Sequence, residues 1–222
     1  MFTAIIIEPR QHKALKFVIH NFLENLSDEW GMVIFHGSRN KEYVSCILHE
    51  LTPSYRSRIN LVNLHISNLN SESYSKLFVT PAFYNFIPTE TFLVFQTDTM
   101  ILSQNKHGID SFLEYDYVGA PWKNYHVGNG GLSLRKKSKM LEIIKKKPYT
   151  NNQEDEYFSL KLPSTLSYHV PTFDMAKQFS VETIFYDKPF GIHNCWKYLS
   201  PSDMTMLIHI YPEITTLIEL QS

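Results

Sequence analysis

The chain has almost no surplus of charge and very little cysteine. Its 222 residues carry 21 Lys and Arg against 22 Asp and Glu, a formal net charge of -1. That balance removes any global attraction for a nucleic-acid polymer. Cys46 and Cys195 are the two cysteines. Neither has a second Cys or His at zinc-finger spacing, so no zinc finger organises the fold; the usage fits a reducing compartment. Long apolar runs are also missing. The richest stretch, Met204 to Leu220, is broken by His209, Pro212 and Glu213, far short of a membrane span. The first ten residues, MFTAIIIEPR, lack the basic start and long apolar core of a signal peptide. The expectation is a soluble, cytoplasmic protein with no transmembrane segment.

What is present is a globular composition: 43% hydrophobic and 19% charged residues. The length suits one large domain or two small ones. Aromatic residues reach 14%; sugar-binding clefts use such rings, and so do ordinary cores. Apolar spacing predicts strands over Phe2 to Ile7, Gly31 to His36, Ile59 to Ile66 and Thr91 to Phe95. It predicts helices over His12 to Leu26, through Val44 to Leu51, and over Ser71 to Phe86 with a break near Pro81. Strand and helix alternate, which implies a mostly parallel sheet with right-handed crossovers. The second half is more irregular. Asp116 to Trp122 and Val127 to Gly131 read as turns. Leu132 to Leu134 reads as a short strand, Ser138 to Lys147 as a helix, and Asn151 to Leu162 as a loop and short helix. A capped helix follows Ser200. There is no repeat and no flexible linker. We therefore expect one domain over 1–222, with 1–100 as a nucleotide-type half and 101–222 as a more irregular half.

Five features carry candidate chemistry, and each also has an ordinary reading. The run FLVFQTDT, Phe92 to Thr99, leads a buried-type strand into Asp98. Open α/β sheets bind ligands at that end, and a carboxylate there can hold a divalent metal and through it a diphosphate; a turn aspartate is the plain alternative. Gly128-Asn129-Gly130-Gly131 lets backbone approach a ligand, or makes a tight turn. It is neither a Rossmann fingerprint nor a P-loop. In Glu154-Asp155-Glu156, like charges raise one another's pKa and can make a general base, or simply favour a helix N-terminus. His193, in FGIHNCW, is a possible metal ligand among ten histidines. Arg10, at the exit of the first strand, would share a sheet edge with Asp98 and could neutralise a phosphate or stack on a base. The run Arg135-Lys136-Lys137 reads as a solvated helix face.

The order of these pieces resembles the GT-A fold of nucleotide-sugar glycosyltransferases. Gln96-Thr97-Asp98 resembles the DxD metal motif, Gly128 to Gly131 the donor-sugar loop, Gln153-Glu154-Asp155 the xED motif, and His193 the C-terminal metal histidine. The strings FQTDT, YDYVGAPW, GNGGLSLR and GIHNCW together resemble a poorly characterised glycosyltransferase-like family, over roughly Ile5 to Trp196. The resemblance implies a GT-A-like α/β domain: a mostly parallel, Rossmann-like sheet flanked by helices, with an irregular C-terminal acceptor half. It implies Mn2+ or Mg2+ held by Asp98 and His193, and donor contacts from Arg10, Gln96, Asp98, Asn129, Gly130 and Gly131. Gln96 stands where many members have the first aspartate, which loosens the ribose and metal contacts. Asp155 would be the general base; Trp122 and Glu154 would face the acceptor. The activity implied is inverting transfer from a UDP-linked sugar to an acceptor hydroxyl. The rival from another class is a silent sugar- or nucleotide-binding module on the same fold. A nucleotidyltransferase would want a glycine-rich basic loop after the first strand, where this chain has EPRQHK.

Overall fold

The computed structural model describes residues 1–123 and 127–222. In chain order it runs β1 (Phe2–Glu8), α1 (Leu15–Asn25), β2 (Trp30–His36), α2 (Lys41–Glu50), α3 (Pro53–Arg56), β3 (Ile59–Asn63), α4 (Ser71–Phe78), β4 (Thr91–Phe95) and β5 (Thr99–Ile101). It continues through β6 (Tyr117–Gly119), β7 (Ser133–Lys136), α5 (Lys137–Lys146), α6 (Glu154–Ser159) and α7 (Phe173–Phe179), then β8 (Ser180–Val181), β9 (Gly191–His193), α8 (Pro201–Ile210) and α9 (Ile214–Glu219). Residues Pro81–Phe86, Ser103–Phe112 and Cys195–Lys197 form 3-10 turns.

The main sheet has six strands in the order β3-β2-β1-β4-β7-β6. The first four are parallel, and β7 and β6 join antiparallel. The expected α/β class with a parallel-rich sheet between helices is therefore present. All five residues of β4 are buried, as an unbroken apolar run requires when both faces are covered. Alternation divides them. Leu93 and Phe95 face one core with Ala4, Ile6, Met32 and Ile34. Phe92 and Val94 face the other with Ile5, Ile7, Val33 and Phe35. On the first side α1 buries Leu15, Val18, Ile19, Phe22 and Leu23, and Phe22 stacks on Phe95 with ring centroids 3.9 Å apart. Each such side chain contributes about 1.5–3 kcal/mol of burial.

Several boundaries differ from the sequence expectation. Helix α1 begins at Leu15, not His12, because the backbone N–H of Ala14 bonds the His12 ring and that of Leu15 bonds the His12 carbonyl, closing a turn. The helical stretch over Ser71 to Phe86 breaks near Pro81 as expected, but the α-helix already ends at Phe78, and from Pro81, which has no N–H, the chain winds as 3-10. Asp116 to Trp122 is not all turn, since Tyr117–Gly119 is an edge strand.

The larger correction lies in the second half, where a second sheet forms in the order β5-β9-β8. Its strands have two or three residues each, too short for a periodic signal. Arg135 is the sharpest reversal. It is no solvated helix residue: it lies on β7, fully buried, and its guanidinium rests over Phe78, Tyr117 and Phe158.

Candidate active site

A cavity of about 420 Å3 opens at the C-terminal ends of β1 and β4, where parallel α/β sheets place ligands. Its lining includes Arg10, Gln96, Asp98, Asn129, Gly130, Gly131, Glu154, Asp155 and His193. These are the expected site residues except Trp122. Trp122 is half-buried against Gly128 and does not line the cavity.

Arg10 is presented, not loose. Parallel pairing of β1 with β4, Ile6 opposite Phe95, sends Glu8-Pro9-Arg10 and Gln96-Thr97-Asp98 out at the same edge. The buried Glu8 carboxylate accepts from Arg10 N–H at 2.8 Å, from Nε at 2.8 Å and from Nη2 at 2.7 Å. That carboxylate raises the Arg10 pKa against the opposing effect of burial. Beneath it, the fully buried Asn40 donates to the carbonyls of Glu8 and Arg10 and accepts from Gly37 N–H. The guanidinium keeps free donors at the cavity while its stem is fixed.

The small sheet builds the opposite wall. β5 runs antiparallel to β9 with Thr99 opposite His193, so Asp98 falls beside Asn194, whose N–H donates to the Asp98 carbonyl at 2.9 Å. β8 runs parallel to β9 with Val181 opposite Ile192, so Glu182 follows on beside His193. The turn into β5 is closed by Thr99, whose hydroxyl donates to Gln96 O at 2.8 Å. One row therefore reads Asp98, His193, Glu182. His193 Nε2 lies 3.5 Å from Asp98 Oδ1, and Nδ1 lies 3.3 Å from Glu182 Oε1. Burial lowers the His193 pKa, but Glu182 and then Asp98 more than offset it, and the net shift is upward. Gly131 is required for this packing: a Cβ there would run into the imidazole. Asn194, in the left-handed region at φ 47°, leaves its side-chain oxygen buried without a partner at the cavity wall.

The acidic segment sits on the short helix α6. Arg135 binds Glu154 through Nη1 at 2.6 Å and Nη2 at 3.0 Å, so both oxygens of that carboxylate are held inside the protein. Asp155 stands differently. Its Oδ2 accepts from Gly130 N–H at 3.2 Å and its Oδ1 from Glu156 N–H at 2.8 Å. Burial first, and the Glu154 charge second, push its pKa up to about 6. A carboxylate poised there can take a proton near neutral pH.

Among the described residues, no group of three or more His, Cys, Asp or Glu side chains is arranged to hold a metal ion. Asp98 and His193 nevertheless suit one together. Asp98 Oδ1 is buried and has no hydrogen-bond partner, and it faces His193 Nε2 at 3.5 Å. Adjacent donors on one divalent cation, each about 2.1 Å from it, lie roughly 3 Å apart.

Sequence reasoning missed Glu182, Asn194, Glu8, Asn40 and the true place of Arg135. Glu8 carried a weak sign, a carboxylate directly inside a strand-end Pro-Arg. Glu182 carried none, since only the pairing of β8 with β9 brings it near His193. No helix among the described residues is long and apolar enough to cross a membrane.

Solved structures share this architecture. The mannosyltransferase PcManGT from Pyrobaculum calidifontis, in complex with GDP-Man and Mn2+, aligns with 99% of this chain and 71% of its own at TM-score 0.58 and 9% identity. Mouse xyloside xylosyltransferase 1, in its apo form, aligns with 90% of this chain and 100% of its own at TM-score 0.58 and 10% identity. Galactosyltransferase LgtC, in complex with donor and acceptor sugar analogs, aligns with 100% of this chain and 95% of its own at TM-score 0.53 and 10% identity. At these identities the likeness establishes a GT-A-type fold and not a reaction. No curated protein matches the sequence. The model of one family, described as "Protein of unknown function (DUF5672)", matches residues 58–193, more than half of the chain, and the chain belongs to that family.

Proposed function

We propose that this chain is a metal-dependent, inverting glycosyltransferase that moves a sugar from a UDP-linked donor to an acceptor hydroxyl, with residues 1–222 acting as one unit. One observation carries the proposal. Residues from 10 to 193 in the sequence, each with chemistry suited to such a donor, line one cavity, on a fold that glycosyltransferases use.

In this reading Gln96, Asp98 and the Asn129-Gly130-Gly131 turn surround the donor, and Arg10 meets the negative charge that grows on its diphosphate. Asp98 and His193 would hold Mn2+ or Mg2+, which supplies Lewis-acid stabilisation of the leaving diphosphate. Asp155 takes the proton from the acceptor hydroxyl as its oxygen attacks the anomeric carbon. Gly130 N–H, on Asp155 Oδ2, fixes the carboxylate and leaves its second lone pairs for that proton. Displacement in one step inverts the anomeric centre. Glu154, expected at the acceptor, instead holds Arg135, so acceptor contact falls to other residues of the wall.

The test is a thermal-shift screen of nucleotide sugars with manganese and with EDTA. A ligand at a hundred times its Kd adds about 2.7 kcal/mol, worth roughly 5–10 °C at this size. A UDP sugar should give that shift with manganese and much less with EDTA. Equal shifts would remove the metal, and no shift from any nucleotide sugar would remove the donor.

A further inference from the structure

We infer that Glu182 is the positioning residue of the candidate metal centre: it orients the His193 imidazole so that Nε2 points at Asp98, and it ties that ring to the glycine turn through Asn129. The inference rests on the proposed metal site of the preceding section and extends it to Glu182, which reaches the edge of the same cavity and acts on the metal through the His193 ring.

Three observations converge. Glu182 is buried, with 5% of its surface exposed, and a carboxylate is not buried without partners to offset its desolvation. Its Oε1 accepts from Asn129 Nδ2 at 2.9 Å and lies 3.3 Å from His193 Nδ1, an ion-pair approach in which Nδ1, buried and without another partner, has Glu182 as its neighbouring acceptor. The register of β8 against β9 sets it beside His193. On its other side Asn129 Oδ1 accepts from Gly131 N–H at 3.0 Å, and Gly131 is the residue whose missing Cβ makes room for the imidazole. The ring is thus confined on three sides: Glu182 at Nδ1, Gly131 against its face, Asp98 at Nε2.

Histidines that bind metals usually give their second ring nitrogen to a carboxylate or carbonyl, which sets the tautomer and the ring angle. Removing that partner typically weakens metal binding 10–100-fold. An ordinary buried ion pair would behave otherwise. Its loss would lower stability while leaving the affinity of the folded protein for metal unchanged.

The test uses the full chain and manganese alone, without donor, reading free Mn2+ by its electron paramagnetic resonance signal during titration. Wild type should bind, and Glu182→Leu should bind 10–100-fold more weakly while remaining folded by circular dichroism. Glu182→Gln, which keeps an acceptor but not the charge, should fall between them, at least threefold weaker than wild type. Should Glu182→Leu fail to fold, the Gln variant alone decides at that threefold mark. Folded variants with wild-type affinity would overturn the role of Glu182 and leave the metal site standing. A wild-type protein that binds no manganese would overturn both.

Discussion

At the scale of single residues, Asp155 makes the most exposed commitment. If Asp155 is the base, as proposed, it should lose its effect as it protonates, so transfer should fall about tenfold per pH unit below about 6. Asp155→Asn should lower kcat by roughly 10²–10⁴ while donor binding stays near wild type. Equal rates would take Asp155 out of the chemistry. The same shift predicts a stability gain. A carboxyl whose folded pKa is raised carries a cost that is absent below its ordinary value near 3.8 and complete above about 6. Removing the charge should therefore raise the melting temperature at pH 8 by roughly 2–8 °C, for an order of 1–2 kcal/mol after allowing for partial exposure. At pH 4 the gain should shrink towards zero; a constant difference would mean another cause. Gly131→Ala should abolish the manganese-dependent part of any donor shift, because the methyl displaces His193. Asp155, Asp98 and His193 could be named in advance as neighbours because each sits in a distinctive string, and all three line the cavity. Glu182 and Asn40 were not, because their partners lie far along the chain and their own neighbours are unremarkable.

At the scale of elements, long strands announce themselves and short ones do not. β1, β2 and β4 are continuous apolar runs, and β4 was bounded correctly at Thr91–Phe95. β5, β8 and β9 have two or three residues, and their existence depends on one another. The wall that carries Asp98, Glu182 and His193 was therefore hidden although two of its three residues were named. Arg135 was misplaced for a related reason: a basic triplet suggests solvent, and only the neighbouring rings and Glu154 reveal a core position. That pair makes an element-level prediction about how β7 and α6 are joined. Arg135→Met alone strands a buried carboxylate and should cost about 3–5 kcal/mol. Adding Glu154→Leu should recover most of it, since apolar groups replace buried ion pairs at little loss. Urea melts of the two single variants and the double one would show it. A double variant as unstable as the sum of its parts would mean that the ion pair is not what holds α6 to β7.

At the scale of the whole molecule, the two sheets share one core. Leu93 and Phe95 of the large sheet pack in the same cluster as Met100, Ile101 and Ile192 of the small one, and Asn21 of α1 donates to and accepts from the backbone of Ile101. We expect the chain to unfold as one unit. Fluorescence of Trp30, in the large sheet, and of Trp196, after β9, should change at the same denaturant concentration in single-tryptophan variants. An earlier change at Trp196 would mark the small sheet as a separate unit. The cavity has a further consequence in time. Its floor is synthesised with residues 7 to 10 and its far wall only with Glu182, His193, Asn194 and Tyr198. A ribosome-bound chain thus owns half a binding site for most of its synthesis, and nothing in the cell that prefers the finished cavity can steady the early half. A ligand of the finished cavity could steady it only after the last strand is laid in.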